Sequence, residues 1–407
     1  MNLLIEKFNS LSLLERWIQI CFLLYAFLFP FTVAGGNLLL FIILSLWMVS
    51  PNLKDRFFQL TKNKVVIASV LFFFTHLLGL FWSENIDRGI LNTKKMLDFL
   101  IILPLLISIA RQEFVKIYIA TFNLSIFIVV TLSYLIYFEI IEPFHYAHLS
   151  NPTPNMSHIS YNIFLNLSLY TLIHGVLWGQ KKFSYLSIIK TAIIILFAIN
   201  IFLNGGRTGQ LMFFVMISLI LLQYYGLGKL KGYLISLFVI FSLVFFAFIL
   251  SDKFQTRIIA AYDNFSKYIS HNNPYSSVGQ RIAWAKASLK IFNENIFIGA
   301  GTGDLKDSME ALNDENINTI GATHNPHNMY FLLMGQLGVI GLISLIYLFF
   351  TQISFAFTIK EHGFERDLAV SLPLLYLFIM FGESYLLGHH TTHLFTFFSA
   401  FLYKKFE

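Results

Sequence analysis

The chain has 407 residues, of which 57% are hydrophobic, 17% aromatic and only 12% charged, and its mean hydropathy is +0.68. Soluble domains are about 25% charged, so a soluble globular enzyme is excluded; the apolar content also excludes disorder, and the single Cys21 excludes a disulfide scaffold. What remains is an all-α polytopic membrane protein, in which a formal charge of +6 reports topology and gives no reason to expect nucleic acid.

A helix needs about 20 mostly apolar residues to cross roughly 30 Å of hydrocarbon. In chain order the apolar runs predict twelve spans: 17–35, 37–50, 64–83, 96–110, 117–138, 157–178, 184–204, 208–226, 232–250, 328–357, 367–387 and 391–404. The second, fourth and twelfth are short. The tenth is long and must tilt, kink or begin outside the hydrocarbon. The runs are continuously apolar rather than alternating, which favours helices over a barrel. The first is not a cleavable signal, because Leu3, Leu4 and Phe8 interrupt any basic leader and a second apolar run follows at once.

Orientation follows from Lys and Arg in the short connections. With the N-terminus inside, the cytoplasmic stretches hold sixteen of the 28 basic residues: Lys7, Arg16, Lys54, Arg56, Lys62, Lys64, Arg111, Lys116, Lys181, Lys182, Lys229, Lys231, Lys360, Arg366, Lys404 and Lys405. The opposite short loops hold only Arg88, Lys94, Lys95 and Arg207. This asymmetry predicts that both termini are cytoplasmic.

Residues 251–327 form one long outer connection between the ninth and tenth spans, long enough to be exempt from that count. Within it, Arg281–Phe292 places Ile282, Ala285, Leu289 and Phe292 on one face, which predicts an amphipathic helix. Turn-rich pieces flank it, His271-Asn272-Asn273-Pro274 before and Gly299-Ala300-Gly301-Thr302-Gly303 after. The chain reads as a single membrane domain, 1–407, with this one elaborated loop.

Three polar motifs could carry chemistry. In Thr323-His324-Asn325-Pro326-His327-Asn328-Met329-Tyr330, two histidines sit where the loop meets the tenth span. Histidine titrates near neutrality and suits a general base, with an Asn or a carboxylate fixing its tautomer. The alternative is a polar pair capping a helix, with Asn325 and Pro326 at its N-terminus. In Asn204-Gly205-Gly206-Arg207-Thr208-Gly209-Gln210, an arginine flanked by glycines at the membrane boundary either holds a phosphate bidentately or snorkels from a helix end. In Ser276-Ser277-Val278-Gly279-Gln280-Arg281, the start of the loop helix offers an anion site, or Arg281 is an ordinary solvated arginine. Asp98, Lys190, Glu383, His76 and His174 fall within or near apolar runs, where ionisable groups are functional suspects. His145, His148 and His158 flank a Pro-rich outer loop that could shape a substrate mouth. His389, His390 and His393 cluster without a carboxylate or Cys at metal-ligand spacing, and Asp304 and Asp307 do not form an Asp-x-Asp, so no metal is expected.

These motifs resemble the bacterial O-antigen ligase and O-antigen polymerase superfamily of integral membrane glycosyltransferases. His327-Asn328, then nine residues, then Gly338-Val339-Ile340-Gly341 matches the ligase branch's pattern of His, then Asn, Ser or Gln, nine residues, then Gly-x-x-Gly. His324-Asn325 does not reach that glycine pair at the same spacing. Arg281 in Val-Gly-Gln-Arg-Ile resembles the family's loop arginine, and Arg207 its membrane-boundary arginine. The resemblance implies transfer on the periplasmic face of the bacterial inner membrane. The donor would be a polysaccharide on undecaprenyl pyrophosphate and the acceptor a sugar hydroxyl of lipid A–core. His327 would be the base, and Arg207 and Arg281 would hold the pyrophosphate without a metal or other cofactor, inverting the anomeric centre. His324, Asn328, Gly206, Gln280 and Tyr330 are the residues expected to bind substrate. The alternatives are a polymerase, whose acceptor is a second lipid-linked glycan, an oligosaccharyltransferase of the same superfamily acting on protein, and a transporter. The last is disfavoured because no paired halves with matching interrupted helices are visible.

Overall fold

A computed structural model describes residues 2–179, 184–271, 274–359 and 363–405. Lys181, Lys182 and Lys360 of the basic count, and Asn272 and Asn273 of the turn before the loop helix, lie outside the described residues. Helices dominate: α1 (Asn2–Asn9), α2 (Leu13–Leu28), α3 (Val33–Met48), α4 (Leu53–Lys62), α5 (Lys64–Leu78), α6 (Ile86–Lys95), α7 (Leu103–Ile109), α8 (Val115–Tyr137), α9 (His158–Leu177), α10 (Tyr185–Leu203), α11 (Arg207–Tyr225) and α12 (Leu230–Leu250). The long connection follows with α13 (Asp252–His271), α14 (Ser277–Glu294), α15 (Leu305–Ala311) and α16 (Glu315–Ile320). The chain closes with α17 (Met329–Thr358), α18 (Phe364–Ile379) and α19 (His389–Leu402). Among the described residues the only β-type pairing is one bridge between His148 and Asn151.

Each of the twelve apolar runs contains a helix, but they are not equivalent. Among the described residues six stretches are long and apolar enough to cross a membrane: Lys64–Trp82, Gln112–Tyr137, Tyr185–Leu203, Arg207–Tyr225, Leu230–Leu250 and Met329–Thr358. A seventh counts if α3 and α4, bent by 112° to one another, form one span. By length and apolarity the protein is therefore multi-pass with six or seven candidate spans, where the sequence reading expects twelve. The shortfall has a physical reason in the interior helices. Residues Tyr161 to Leu172 of α9 are all buried in protein, and α19 is only 14 residues long with Thr391 to Leu402 all buried. A helix packed on all sides by others need not match the hydrocarbon itself and tolerates polar side chains, as Asn162 and Asn166 of α9 illustrate. By contrast α12 presents Leu237, Phe238 and Phe241 at about 70% exposure, as a lipid-facing helix does.

The core beneath the site is aromatic. Phe29 of α2, Phe122 of α8, Phe164 of α9 and Phe397 of α19 meet with ring centroids 5.3–6.2 Å apart, joining four helices at one point.

The expected loop helix is present as α14, but its buried face is a different one. Ala283, Ala287 and Ile291, spaced four apart, face the protein, while Leu289 is 37% exposed. The small residues win because α14 packs closely on α17, where Gly335 would bring a Cβ against Leu305 and near Ser288.

That packing is completed by a break in α17. Gly338 has φ +59 and ψ −148, a region that only glycine occupies readily. The opened backbone exchanges hydrogen bonds with the segment after α14: Val339 N–H donates to Ile296 O (2.8 Å), Ala300 N–H to Gly335 O (2.9 Å) and Gly301 N–H to Gln336 O (2.9 Å). A Cβ on Gly338 would lie 2.5 Å from Ile296 O, too close to accommodate. The first glycine of Gly-x-x-Gly thus fastens the loop to the span that follows it. Asp304 fastens its far side. It is buried, and its carboxylate accepts the Ser83 hydroxyl (2.7 Å) and the backbone N–H of Glu84 (2.8 Å) and Asn85 (2.9 Å).

Candidate active site

His327 and Asn328 stand at the entry to α17 with distinct tasks. Asn328 is the helix cap: its side-chain oxygen accepts the backbone N–H of Tyr330 (2.9 Å) and Phe331 (3.1 Å), and its amide donates to Phe381 O (3.0 Å). Capping therefore falls to Asn328, not to Asn325 and Pro326. His327, just before it, has φ +54, a left-handed backbone that is uncommon for a residue with a Cβ. The strain is held by Asn325, whose side-chain oxygen accepts the His327 N–H (3.0 Å) and the Ser384 hydroxyl (2.8 Å).

The held ring meets an acid. His327 Nδ1 lies 2.6 Å from Glu383 Oε2, past the end of α18. A carboxylate only accepts, so the proton sits on Nδ1 and Nε2 is left with its lone pair when the ring is neutral. Glu383 Oε1 accepts the Asn325 amide (2.7 Å) and the Ser384 N–H (3.0 Å). Burial pushes the Glu383 carboxyl up, but the hydrogen bond and charge of His327, followed by Ser384 and Asn325, outweigh it and hold it below its ordinary value. Trp284 of α14 walls the other side, its ring centroid 5.8 Å from that of His327, and its indole N–H donates to Gly321 O (2.9 Å).

Arginines gather beside this pair. Arg207 is the first residue of α11 and donates to the Ser277 hydroxyl at the start of α14 (3.3 Å). Arg257 of α13 and Arg281 of α14 are near enough for their charges to act on it. The Arg281 charge also reaches Tyr385, two residues from Glu383, and a Cβ on Gly382 would strike Thr208, the neighbour of Arg207. Among the described residues none of Arg207, Arg257 and Arg281 has a carboxylate at ion-pair distance. The arrangement offers a base with a free nitrogen beside a cationic surface able to accept a phosphate.

The remaining expected residues sit as follows. Gly206 is at the turn into α11, where the room left by its missing Cβ is occupied by Asn162 Nδ2 (2.7 Å) and His158 O (2.8 Å). Tyr330 packs its ring on Phe381 (4.6 Å) and donates its hydroxyl to Leu377 O (2.6 Å). Gln280 lies in the first turn of α14, beside Arg281. His324 stands apart from the His327–Glu383 pair: burial, then the charges of Arg88 and Lys306, keep it below its ordinary pKa, and its Nδ1 has no hydrogen-bond partner. Of the apolar-run suspects, His174 pairs with Asp367 (3.0 Å) and His393 lies 3.9 Å from Asp98. Among the described residues no cluster of three His, Cys, Asp or Glu could hold a metal ion.

Sequence reasoning did not single out Arg257, Trp284, Asn325 or Ser384 for the site, and it noted Glu383 only as an ionisable group near an apolar run. The signal for Glu383 was there, a lone acid near the end of the eleventh apolar run, on the side that the sequence reading assigns to His327. Arg257 offered none.

Residues 192–346 match a family model described as O-antigen ligase. The match bears out the resemblance to the O-antigen ligase and polymerase superfamily, and it spans Arg207, Arg257, Arg281, His327 and the Gly338–Gly341 pair while stopping short of Glu383. An uncharacterized protein of Haemophilus influenzae is 26% identical over 251 residues, covering 61% of this chain and 60% of that protein. The chain therefore spans less than two thirds of that relative.

Proposed function

We propose that the protein is an O-antigen ligase of the bacterial inner membrane, with both termini in the cytoplasm and its active site facing the periplasm. It transfers a polysaccharide from undecaprenyl pyrophosphate to a sugar hydroxyl of lipid A–core. The observation that carries this reading is the His327–Glu383 pair in a region where the Arg281 charge reaches Tyr385 and Arg207 and Arg281 act on each other, arginines with no carboxylate at ion-pair distance among the described residues.

His327 Nε2 takes the proton of the acceptor hydroxyl, and that oxygen attacks the anomeric carbon from the face opposite the leaving group. The carbon–oxygen bond to the pyrophosphate breaks, its electron pair leaves with the lipid pyrophosphate, and the anomeric centre inverts. Glu383 keeps the proton on Nδ1 and stabilises the imidazolium that forms. Positioned general bases contribute roughly 10²–10⁴-fold. Arg207 and Arg281, with Arg257 behind them, offset the charge that develops on the pyrophosphate, as fixed cations do at transferring phosphates.

The His327-Asn328-x9-Gly338-x-x-Gly341 pattern favours ligase over polymerase. A glycan-length assay in cells tests the choice: deletion of the gene should leave long lipid-linked polymer unattached to lipid A–core. If only single repeat units accumulate, the acceptor is a second lipid-linked glycan and the polymerase reading replaces this one. If attachment persists in His327→Ala at normal protein level, the proposed mechanism fails.

A further inference from the structure

At the end of the bundle opposite His327 lies a cavity of about 1450 Å³ between the start of α2, α4, the start of α5, the end of α7 and the ends of α17 and α19. Six cations line it: Arg56, Lys62, Lys64, Arg111, Lys404 and Lys405. Only three acids accompany them, Glu15, Asp55 and Glu113. Two of these acids are engaged: Glu15 is shared between Arg56 (3.0 Å) and Arg111 (2.9 Å), and Glu113 also meets Arg111 (3.4 Å). Lys404 donates to the carbonyls of Ser108 (2.8 Å) and Ala110 (2.7 Å) at the end of α7. Lys62, Lys64 and Lys405 are exposed, and among the described residues none of them has a carboxylate at ion-pair distance. The cavity therefore has a net positive lining; Lys62 rests over the Phe58 ring (4.0 Å), and Lys62, Lys64 and Lys405 are the cations left to take an anion.

Its other wall is apolar and faces outward. Ile67 of α5 is 38% exposed, and Tyr347 and Phe350 of α17 are 38% and 62% exposed. Both helices belong to stretches able to cross a membrane. Phe350 is eight residues before Thr358, about 12 Å along the helix axis at 1.5 Å per residue. The cavity thus reaches from the basic helix ends to a depth where acyl chains lie. A soluble phosphate compound would need the basic part alone, whereas a lipid phosphate with attached chains needs both walls at this relative height.

We propose that this cavity binds an anionic phospholipid, its phosphate between Lys62, Lys64 and Lys405 and its first acyl carbons against Ile67, Tyr347 and Phe350. The site is separate from the transfer site and does not depend on the function proposed for it.

The full-length protein in detergent, titrated with phosphatidylglycerol, phosphatidylcholine and inorganic phosphate and read by native mass spectrometry and thermal unfolding, tests this. Phosphatidylglycerol should bind and stabilise, and phosphatidylcholine should bind at least tenfold more weakly. Each of Lys62→Gln, Lys64→Gln and Lys405→Gln should weaken phosphatidylglycerol roughly fivefold, the scale of one basic residue at an anionic surface. The three side chains are exposed, so the lipid-free unfolding temperature should not move, and Lys64→Arg should restore binding. Equal binding of the two lipids, or unchanged affinity in the triple variant, overturns the proposal. Inorganic phosphate that competes as well as the lipid overturns its lipid part, and Phe350→Ser should then have no effect on binding.

Discussion

The two polar ends of the helical bundle both gather cations, yet they are built differently. At the end with Lys64 and Thr358, one glutamate ties two arginines together and a lysine is pinned to backbone carbonyls. At the end with Arg207 and His327, the arginines lie near one another with no carboxylate at ion-pair distance among the described residues, and Glu383 is taken by a histidine. The first arrangement neutralises guanidinium groups internally and leaves only flexible lysines for a ligand. The second leaves guanidinium groups, with their planar donors, unneutralised and adds a base. Clustered cations at both ends are consistent with phosphate chemistry at both, but the His327 end adds an imidazole paired with a carboxylate.

The sharpest way to break that contrast is to remove the base. His327→Ala should lower transfer about 10³-fold, the middle of the range for a positioned general base, while Lys64→Gln at the other end leaves the transfer rate unchanged. Measurement of glycan attachment by purified protein, with expression and unfolding temperature as controls, checks both. Comparable losses from the two variants would remove the functional distinction between the ends.

Glu383→Gln should cost about 10²-fold, less than His327→Ala, because the ring remains but loses the group that fixes its tautomer. A residue acting through His327 should change the rate constant for transfer more than the Michaelis constant for donor. It should also move the pH profile, since the imidazolium is no longer paired with a carboxylate. A loss confined to the Michaelis constant would make Glu383 a substrate-binding group instead.

Much of this contrast could be read from the sequence, and the part that could not has a clear cause. Continuous apolar runs announce helices because nothing else satisfies the backbone in hydrocarbon, and every predicted run does contain one. The spacing from His327 to Gly338 is visible because Gly338 must open α17 for Ile296 and the residues after it, which leaves a glycine at a fixed distance from the helix cap. The partner of His327 is 56 residues away in sequence, across a whole helical hairpin, and no local spacing encodes that meeting. The buried face of α14 was misjudged for a related reason. Alanines and Ser288 carry a weaker hydrophobic signal than Leu289, but a close helix approach selects small residues over large ones. The twelve-span expectation treats every apolar run as lipid-facing, whereas α9 and α19 are surrounded by protein.

Gly338→Ala tests whether the His327 end depends on the loop being fastened. A Cβ there both occupies a glycine-only backbone region and meets Ile296 O, so destabilisation of about 1–3 kcal/mol is expected. Undocking of α14 would carry Arg281 and Trp284 away from His327. Hydrogen exchange should therefore rise at Ile296–Gly301 and not around Lys64; exchange rising equally at both ends would mean general unfolding instead.

Arg257→Ala should have a smaller effect, about tenfold on transfer, as expected of a residue whose charge acts on Arg207. The loss should shrink with salt, as screening weakens longer-range charge. A loss as large as that of Arg207→Ala, and insensitive to salt, would promote Arg257 to a direct phosphate ligand.

The smallest expected effect concerns pH and follows from the lowered carboxyl of Glu383. Its folded-state pKa lies below the ordinary 4.5, so the unfolded chain binds the proton more tightly than the native protein does. The resulting stability is fully present above about pH 4.5 and is lost as pH falls through the folded-state value. Thermal unfolding of the wild type and Glu383→Gln between pH 3 and 7 should show a constant difference near neutrality that narrows on acidification. In a His327→Ala background the narrowing should begin at higher pH, because the hydrogen bond and charge that oppose burial are gone. A difference that widened toward acid would mean that burial, not His327, governs this carboxyl, and the paired arrangement that sets the His327 end apart would be lost.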